Sequence, residues 1–230
     1  MPSSSRRRPA NDMRICREGF PFILGSFFVA WFFWAVGAAL ASSVAMFLAG
    51  VAFLAFLFCC WFFRNPKRTI PMGDRLILSP AYGKVMEIVE AVNPQTHDKM
   101  WVIRIFLSVF DAHLQLAPVA GRVTAVTYTK GKFLDARDPK AAFENEQNRI
   151  EFEPAKETGL RGPVVVMQIA GLIARRIVCD VAKGHDVQPG DKIGLIRFGS
   201  QVDMIVPANV AWRVKVGDMV RGCQVLAEVK

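Results

Sequence analysis

The sequence predicts a mainly β protein, an antiparallel sheet or barrel-like sandwich with few helices, preceded by an N-terminal hydrophobic helical hairpin. Three observations carry that expectation. Residues 19–63 contain no charged side chain. Beyond them the apolar runs become short, rich in Val and Ile, and broken by glycine, proline and charge, which is the pattern of strands and turns. No strand alternates with an amphipathic helix, so a doubly wound sheet is not expected.

A membrane-crossing helix needs about 20 apolar residues. The uncharged block is long enough for two, at roughly 21–40 and 44–63, with Ala41, Ser42 and Ser43 as the turn. Trp31 and Trp34 fall inside the first helix; Trp61, at the end of the second, suits a membrane interface. Arg6, Arg7, Arg8, Arg14 and Arg17 precede the block, and Arg64, Lys67 and Arg68 follow it. Basic flanks mark the cytoplasmic side, so the hairpin dips from the cytoplasm, either spanning or re-entrant. A cleaved signal peptide does not fit, because the block is too long and no small-residue cleavage site follows. A buried core pair is the alternative, at odds with the aromatic load and the absence of charge. The expected organisation is a basic segment 1–18, a membrane hairpin 19–63 and a main domain 64–230, held at the cell (inner) membrane on its cytoplasmic face.

The net charge of +9 fits nucleic acid or an anionic membrane. The crowding of basic residues around the hairpin favours lipid headgroups. From Asp74 onward no basic strip interleaved with aromatics appears, so no nucleic-acid role is expected. The five cysteines fit no zinc or redox spacing; they read as reduced, with no metal site.

Strands are expected at 76–78, 84–89, 101–107, 121–129, 149–152, 164–170, 193–197, 203–206 and 224–228, and a polar helix at 141–147. Val187-Gln188-Pro189-Gly190-Asp191 and Val216-Gly217-Asp218 repeat one idea, a "V…GD" turn before an apolar strand.

Gly194-Leu195-Ile196-Arg197-Phe198-Gly199-Ser200-Gln201-Val202-Asp203 carries the most information. A strand runs into Gly199-Ser200 and another begins; by itself a Gly-Ser pair there is an ordinary turn. Of the three histidines, His97 and His185 lie in polar, turn-like stretches and read as surface residues. His113 follows Asp111 by two, so on a strand the two share a face. Arg175 and Arg176 read either as ligands of a phosphate or carboxylate or as a solvated pair.

This decapeptide resembles the cleavage motif of short-form phosphatidylserine decarboxylases, and the resemblance extends along nearly the whole chain: "REGFPF" at 17–22, "FFRNP" at 62–66, "FLSVFDAHLQLAPVAGRV" at 106–123, "GKF" at 131–133, "NEQN" at 145–148 and "QIAGLIARRIVC" at 168–179. The resemblance implies self-cleavage at Gly199–Ser200. Ser200 Oγ attacks the Gly199 carbonyl, the amide becomes an ester, elimination follows, and Ser200 becomes a pyruvoyl group. The fragments 1–199 and 200–230 stay together. It further implies that this covalent cofactor forms a Schiff base with phosphatidylserine and accepts electrons as CO2 leaves, giving phosphatidylethanolamine. His113, whose imidazole titrates near neutrality, takes the acid–base role. The implied partners are phosphatidylserine and anionic membrane lipid, and a homo-oligomer is compatible with them.

Two positions depart from the family pattern. Ser79-Pro80-Ala81-Tyr82-Gly83 carries Tyr82 where the family has aspartate, and Leu116 stands where the long form has a second histidine and short forms often have arginine. Either Tyr82 permits slow maturation, with Asp111 assisting His113, or the chain stays uncut. A non-catalytic, membrane-anchored β-barrel adaptor is the competing reading, since "V…GD" turns also occur in carrier barrels. Lys215 lacks the setting of a modified carrier lysine. A decarboxylase acting on another serine-headed lipid, such as an ether-linked one, would share the same motif residues.

Overall fold

The computed structural model describes residues 14–93, 96–138, 140–172, 176–197 and 199–230. It divides into two compact units, Met1–Lys67 and Arg68–Lys230.

The first unit is the hairpin. Helix α1 runs Phe20–Leu40 and α2 runs Ser43–Phe62. The turn forms because Ala41 adopts a left-handed conformation and the Ser42 hydroxyl accepts the Ala45 N–H at 3.3 Å, capping α2. Ala30 and Gly37 of α1 and Ala45 and Ala49 of α2 are buried, which lets the backbones approach closely, and Phe27 packs on Phe56 across the pair. The open end is closed by an Ile15–Arg64 bridge, with Asn65 N–H donating to the Arg14 carbonyl at 2.6 Å. Both helices are long and apolar enough to cross a membrane. Phe28, Trp31, Phe47 and Leu54 are exposed along them, a larger apolar surface than water tolerates.

The second unit has every pairing of its named strands antiparallel, with an isolated parallel bridge at Lys132–Asn145. Its strands are β1 (Leu76–Leu78), β2 (Gly83–Val92), β3 (Lys99–Leu107), β4 (Leu114–Leu116), β5 (Gly121–Thr129), β6 (Gln147–Pro154), β7 (Val164–Ala170), β8 (Arg176–Cys179), β9 (Asp186–Val187), β10 (Lys192–Arg197), β11 (Ser200–Pro207), β12 (Val210–Trp212), β13 (Met219–Val220) and β14 (Val225–Val229). They form an eight-stranded sheet in the order β13-β2-β3-β11-β7-β6-β5-β9 and two three-stranded sheets, β4-β10-β8 and β1-β14-β12. Strand alternation fills the core. Ile103, Ile105 and Leu107 of β3 and Val202, Met204 and Val206 of β11 are fully buried, as period-two patterning requires.

The nine strands expected from the sequence all appear, several of them longer than expected. The short β4, β8, β9, β12 and β13 were not expected, because two to four residues carry too little pattern. The expected helix 141–147 is a single turn, α3 (Ala141–Glu144); Gln147 already opens β6, where pairing with β7 and β5 overrides helix propensity. Both "V…GD" segments are tight turns built the same way. Asp191 Oδ2 accepts the Gln188 N–H at 2.8 Å and Asp218 Oδ2 accepts the Lys215 N–H at 3.0 Å.

The face of the large sheet opposite the core residues of β11 holds a buried charge. Asp203, paired with Gln201 Nε2 at 2.6 Å, receives Arg104 Nε at 3.3 Å, and Arg104 also bridges to Glu87. Burial pushes the Asp203 carboxyl up to about 6, against the pull of Gln201 and Arg104. The folded protein therefore holds this proton more tightly than the unfolded chain. Its contribution to stability is full below the ordinary carboxylate range and is lost as pH rises to about 6, on the order of 3 kcal/mol at most. Urea unfolding of the full chain in detergent micelles should show wild type losing stability relative to Asp203→Asn between pH 4 and 6, and a constant difference above about pH 6.5.

Candidate active site

Strands β10 and β11 are consecutive, yet they belong to different sheets. The crossing leaves only positions 198 and 199 between them. Gly199 makes the corner with φ +44°, a conformation that costs a side chain 1–2 kcal/mol but glycine almost nothing. Ser200 then enters the sheet at once, between Leu107 of β3 and Ala170 of β7. It is fully buried, and among the described residues its hydroxyl has no hydrogen-bond partner. A buried hydroxyl left without a partner costs free energy and is uncommon outside sites where it has chemical work.

The Gly199 carbonyl is fixed by its neighbour across the crossing. A β-carbon on Gly171, just past the end of β7, would stand 2.2 Å from the Gly199 oxygen and 3.0 Å from its carbonyl carbon. Position 171 therefore admits glycine alone while that carbonyl lies there. The side of Gly199 toward solvent is a cleft of about 360 Å³ lined by Phe106, Ser108, Val109, Phe110, Asp135, Ala136, Arg137 and Leu172 together with Gly199.

His113 lies in the segment between β3 and β4 and is not among the described residues lining the cleft. Leu107 lies opposite Ser200, while the His113 carbonyl accepts the Ile196 N–H at 3.2 Å, so both ends of residues 107–113 are held against the approach to the crossing. The expectation that Asp111 and His113 share a strand face is corrected: β4 begins only at Leu114. The Asp111 carboxylate accepts the Ser108 N–H and hydroxyl, both at 2.8 Å, the same turn device that Asp191 and Asp218 provide. What faces the imidazole is the Asp111 backbone carbonyl, 2.9 Å from His113 Nδ1. A carbonyl only accepts, so Nδ1 carries the proton and Nε2 is the basic nitrogen of the neutral ring.

Behind His113 lies a buried amide chain that sequence reasoning passed over. Gln115 Nε2 donates to the His113 carbonyl at 2.9 Å. Gln168 Nε2 donates to Gln115 Oε1 at 2.8 Å, and Asn148 Nδ2 donates to Gln168 Oε1 at 2.8 Å. All four residues are buried. Gly194 makes room for the chain, since a β-carbon there would meet Gln168 Nε2 at 2.5 Å. Asn145 ties the cleft loop down, donating to the Leu134 carbonyl at 3.0 Å and the Ala170 carbonyl at 2.7 Å. The available signal was an amide inside an apolar run, Leu114-Gln115-Leu116 and Met167-Gln168-Ile169, because a buried polar side chain implies a partner.

The other expected site residues are dispersed. Tyr82 is half-buried, and its ring stands beside Leu116: a β-carbon on Gly222 would meet Tyr82 Cε2 at 2.5 Å and Leu116 Cδ1 at 2.7 Å. The two positions that depart from the family pattern thus adjoin. Arg176 opens β8 opposite Arg197, exposed and not among the residues lining the cleft. Arg175 lies outside the described residues. His97 and His185 are exposed.

These features define a chain with a buried serine hydroxyl joined to a left-handed glycine at a sheet crossing, beside a cleft. A family model described as phosphatidylserine decarboxylase matches residues 55–228. Proteins named phosphatidylserine decarboxylase proenzyme are similar to most of the chain: one from Geobacter metallireducens is 44% identical over 89% of this chain and 91% of its own length, one from Geotalea uraniireducens 45% over 89% and 91%, and one from Rickettsia akari 39% over 94% and 90%. The chain belongs to the phosphatidylserine decarboxylase family. It is therefore a decarboxylase, a lyase of phospholipid biosynthesis, and none of these findings favours the non-catalytic adaptor.

The amide chain is testable directly. Gln168→Leu leaves Gln115 Oε1 and Asn148 Nδ2 buried without this partner, and urea unfolding should show a loss of about 2–4 kcal/mol.

Proposed function

We propose that the chain is a proenzyme that cuts itself between Gly199 and Ser200 and then converts phosphatidyl-L-serine to phosphatidylethanolamine and CO2. The observation that carries this reading is the buried Ser200 hydroxyl, without a hydrogen-bond partner among the described residues, joined to a left-handed Gly199 whose carbonyl is packed against Gly171. Ser200 Oγ adds to the Gly199 carbonyl carbon as its proton passes to His113 Nε2. The Gly199–Ser200 C–N bond breaks as His113 passes that proton to the nitrogen, leaving an ester with a free Ser200 amine. Removal of the Ser200 α-proton expels the Gly199 carboxylate, and water replaces the nitrogen, released as ammonia. Glycine at 199 leaves the carbonyl without a side chain to shield it from the hydroxyl.

The residues present suit a pyruvoyl group at position 200: the head of β11 lies between β3 and β7, and the adjoining Gly199 opens on the cleft. Bound there, such a group would supply an electron sink for the bond to CO2. Val109 and Ala136 would keep the reacting carboxylate in apolar surroundings, and His113 would return a proton to the product carbon. Residues 200–230 would stay in place after cleavage, because β11 pairs with β3 and β7, β13 with β2 and β14 with β1. The hairpin would hold the chain in the inner membrane, with 64–230 on the cytoplasmic face, where basic flanks meet anionic lipid.

The intact mass of the purified full chain tests the reading. Two co-purifying fragments split after Gly199, the smaller with a blocked N-terminus, are expected, and Ser200→Ala should remain a single chain. A wild type that stays whole sinks the proposal. Gly171→Ala should retain the fold, judged by circular dichroism, yet slow cleavage at least about 100-fold by displacing the scissile carbonyl. Hydroxylamine, which splits the ester, should fail to cut this variant; a hydroxylamine-sensitive Gly171→Ala chain would show that the carbonyl's position does not govern the first step.

A further inference from the structure

The cleft beside Gly199 is polarised. Nearest the glycine it is apolar: Val109 Cγ1 lies 3.9 Å from where a Gly199 β-carbon would stand, and Ala136 Cβ lies 3.2 Å from the corresponding point on Gly171. Arg137, largely exposed, is the one cation among the described lining residues. Its guanidinium is held by Asp135. Nε donates to Asp135 Oδ1 at 3.0 Å, Nη2 donates to Asp135 Oδ2 at 2.6 Å, and the Arg137 N–H donates to Oδ1 at 2.9 Å. This closed two-residue clamp holds the Asp135 carboxyl down at about 2, so it stays charged and keeps its grip at any physiological pH.

Asp135 uses the Nε–Nη2 side of the fork. A guanidinium has five N–H donors, and its end edge, Nη1 with the second Nη2 hydrogen, is a further bidentate donor pair suited to phosphate oxygens. We propose that Arg137 holds the phosphate of the serine phospholipid headgroup at the mouth of the cleft, a reading that rests on the decarboxylase function above. The headgroup offers two anions, and their chemistry separates them. The carboxylate loses its charge as CO2 departs, so a cation on it would stabilise the ground state over the transition state and slow the reaction. The phosphodiester keeps its charge throughout, so binding there anchors the substrate without a penalty on the chemical step. The apolar stretch at Val109 and Ala136 then receives the carboxylate, and the exposed side chains of Phe110 and Leu172 border the glycerol and acyl end.

The experiment compares the matured full-length wild type with Arg137→Gln and Arg137→Lys in mixed micelles of detergent and phosphatidylserine. Arg137→Gln should mature as wild type does and raise KM about 10- to 100-fold, the loss of one charge-assisted bidentate contact, with kcat changed less than threefold; Arg137→Lys should recover part of KM. Glycerophosphoserine, a soluble phosphodiester headgroup, should inhibit wild type about tenfold more strongly than Arg137→Gln, whereas serine amide, which lacks phosphate, should inhibit both equally. A fall in kcat at unchanged KM, or equal weakening of both inhibitors, overturns the assignment. A wild type that never cleaves overturns the underlying function instead, and the two failures are told apart by the mass of the wild-type chain.

Discussion

The passage of one chain from a three-stranded sheet into the middle of an eight-stranded sheet governs this protein. Strand β11 is hydrogen-bonded on both sides, to β3 and β7, and its core residues Val202, Met204 and Val206 are fully buried. Its position is therefore set by many contacts at once, while β10 is held separately by β4 and β8. The short link between them must turn sharply, and the left-handed Gly199 absorbs the turn. The two sheets over-determine that geometry, and glycine is the residue that adopts it at little cost. The same pairing keeps Ser200 dry and ties residues 200–230 to the rest of the domain independently of the peptide bond before them.

Polar groups around the crossing are arranged by backbone needs first. Asp111 looks like the acidic partner of a catalytic histidine, but its carboxylate is consumed in closing the turn at Ser108. Its carbonyl, not its charge, sets the tautomer of His113. The neutral amides of Gln115, Gln168 and Asn148 extend that order into the core. Amides suit the task, because each can donate and accept, so a buried chain of them is satisfied without burying a charge. The charged pair at the cleft, Asp135 with Arg137, stays near solvent, where ionisation is cheap.

The hairpin follows a different logic. Its helices bury Ala and Gly where they approach and leave most of their Phe, Trp and Leu exposed, the inverse of a water-soluble pair. A lyase acting on a phospholipid needs an environment in which its substrate does not have to leave the bilayer, and an apolar, uncharged hairpin in the same chain is consistent with that need.

Much of this was legible in the residues. Absence of charge over 19–63 determined the two long helices, because length and apolarity alone decide such segments. Short Val- and Ile-rich runs determined the long strands, and the motif around Gly199-Ser200 with His113 pointed to the proposed reacting groups through family resemblance. Tertiary structure alone decided the rest. Which sheet a strand joins is not encoded in its alternation, so the crossing at Gly199 was invisible. The short strands β4 and β8 exist only because β10 pairs with them. Gly171 meets Gly199, and Gln168 meets Gln115 and Asn148, and no local pattern reports a contact that the fold creates only when such distant segments meet.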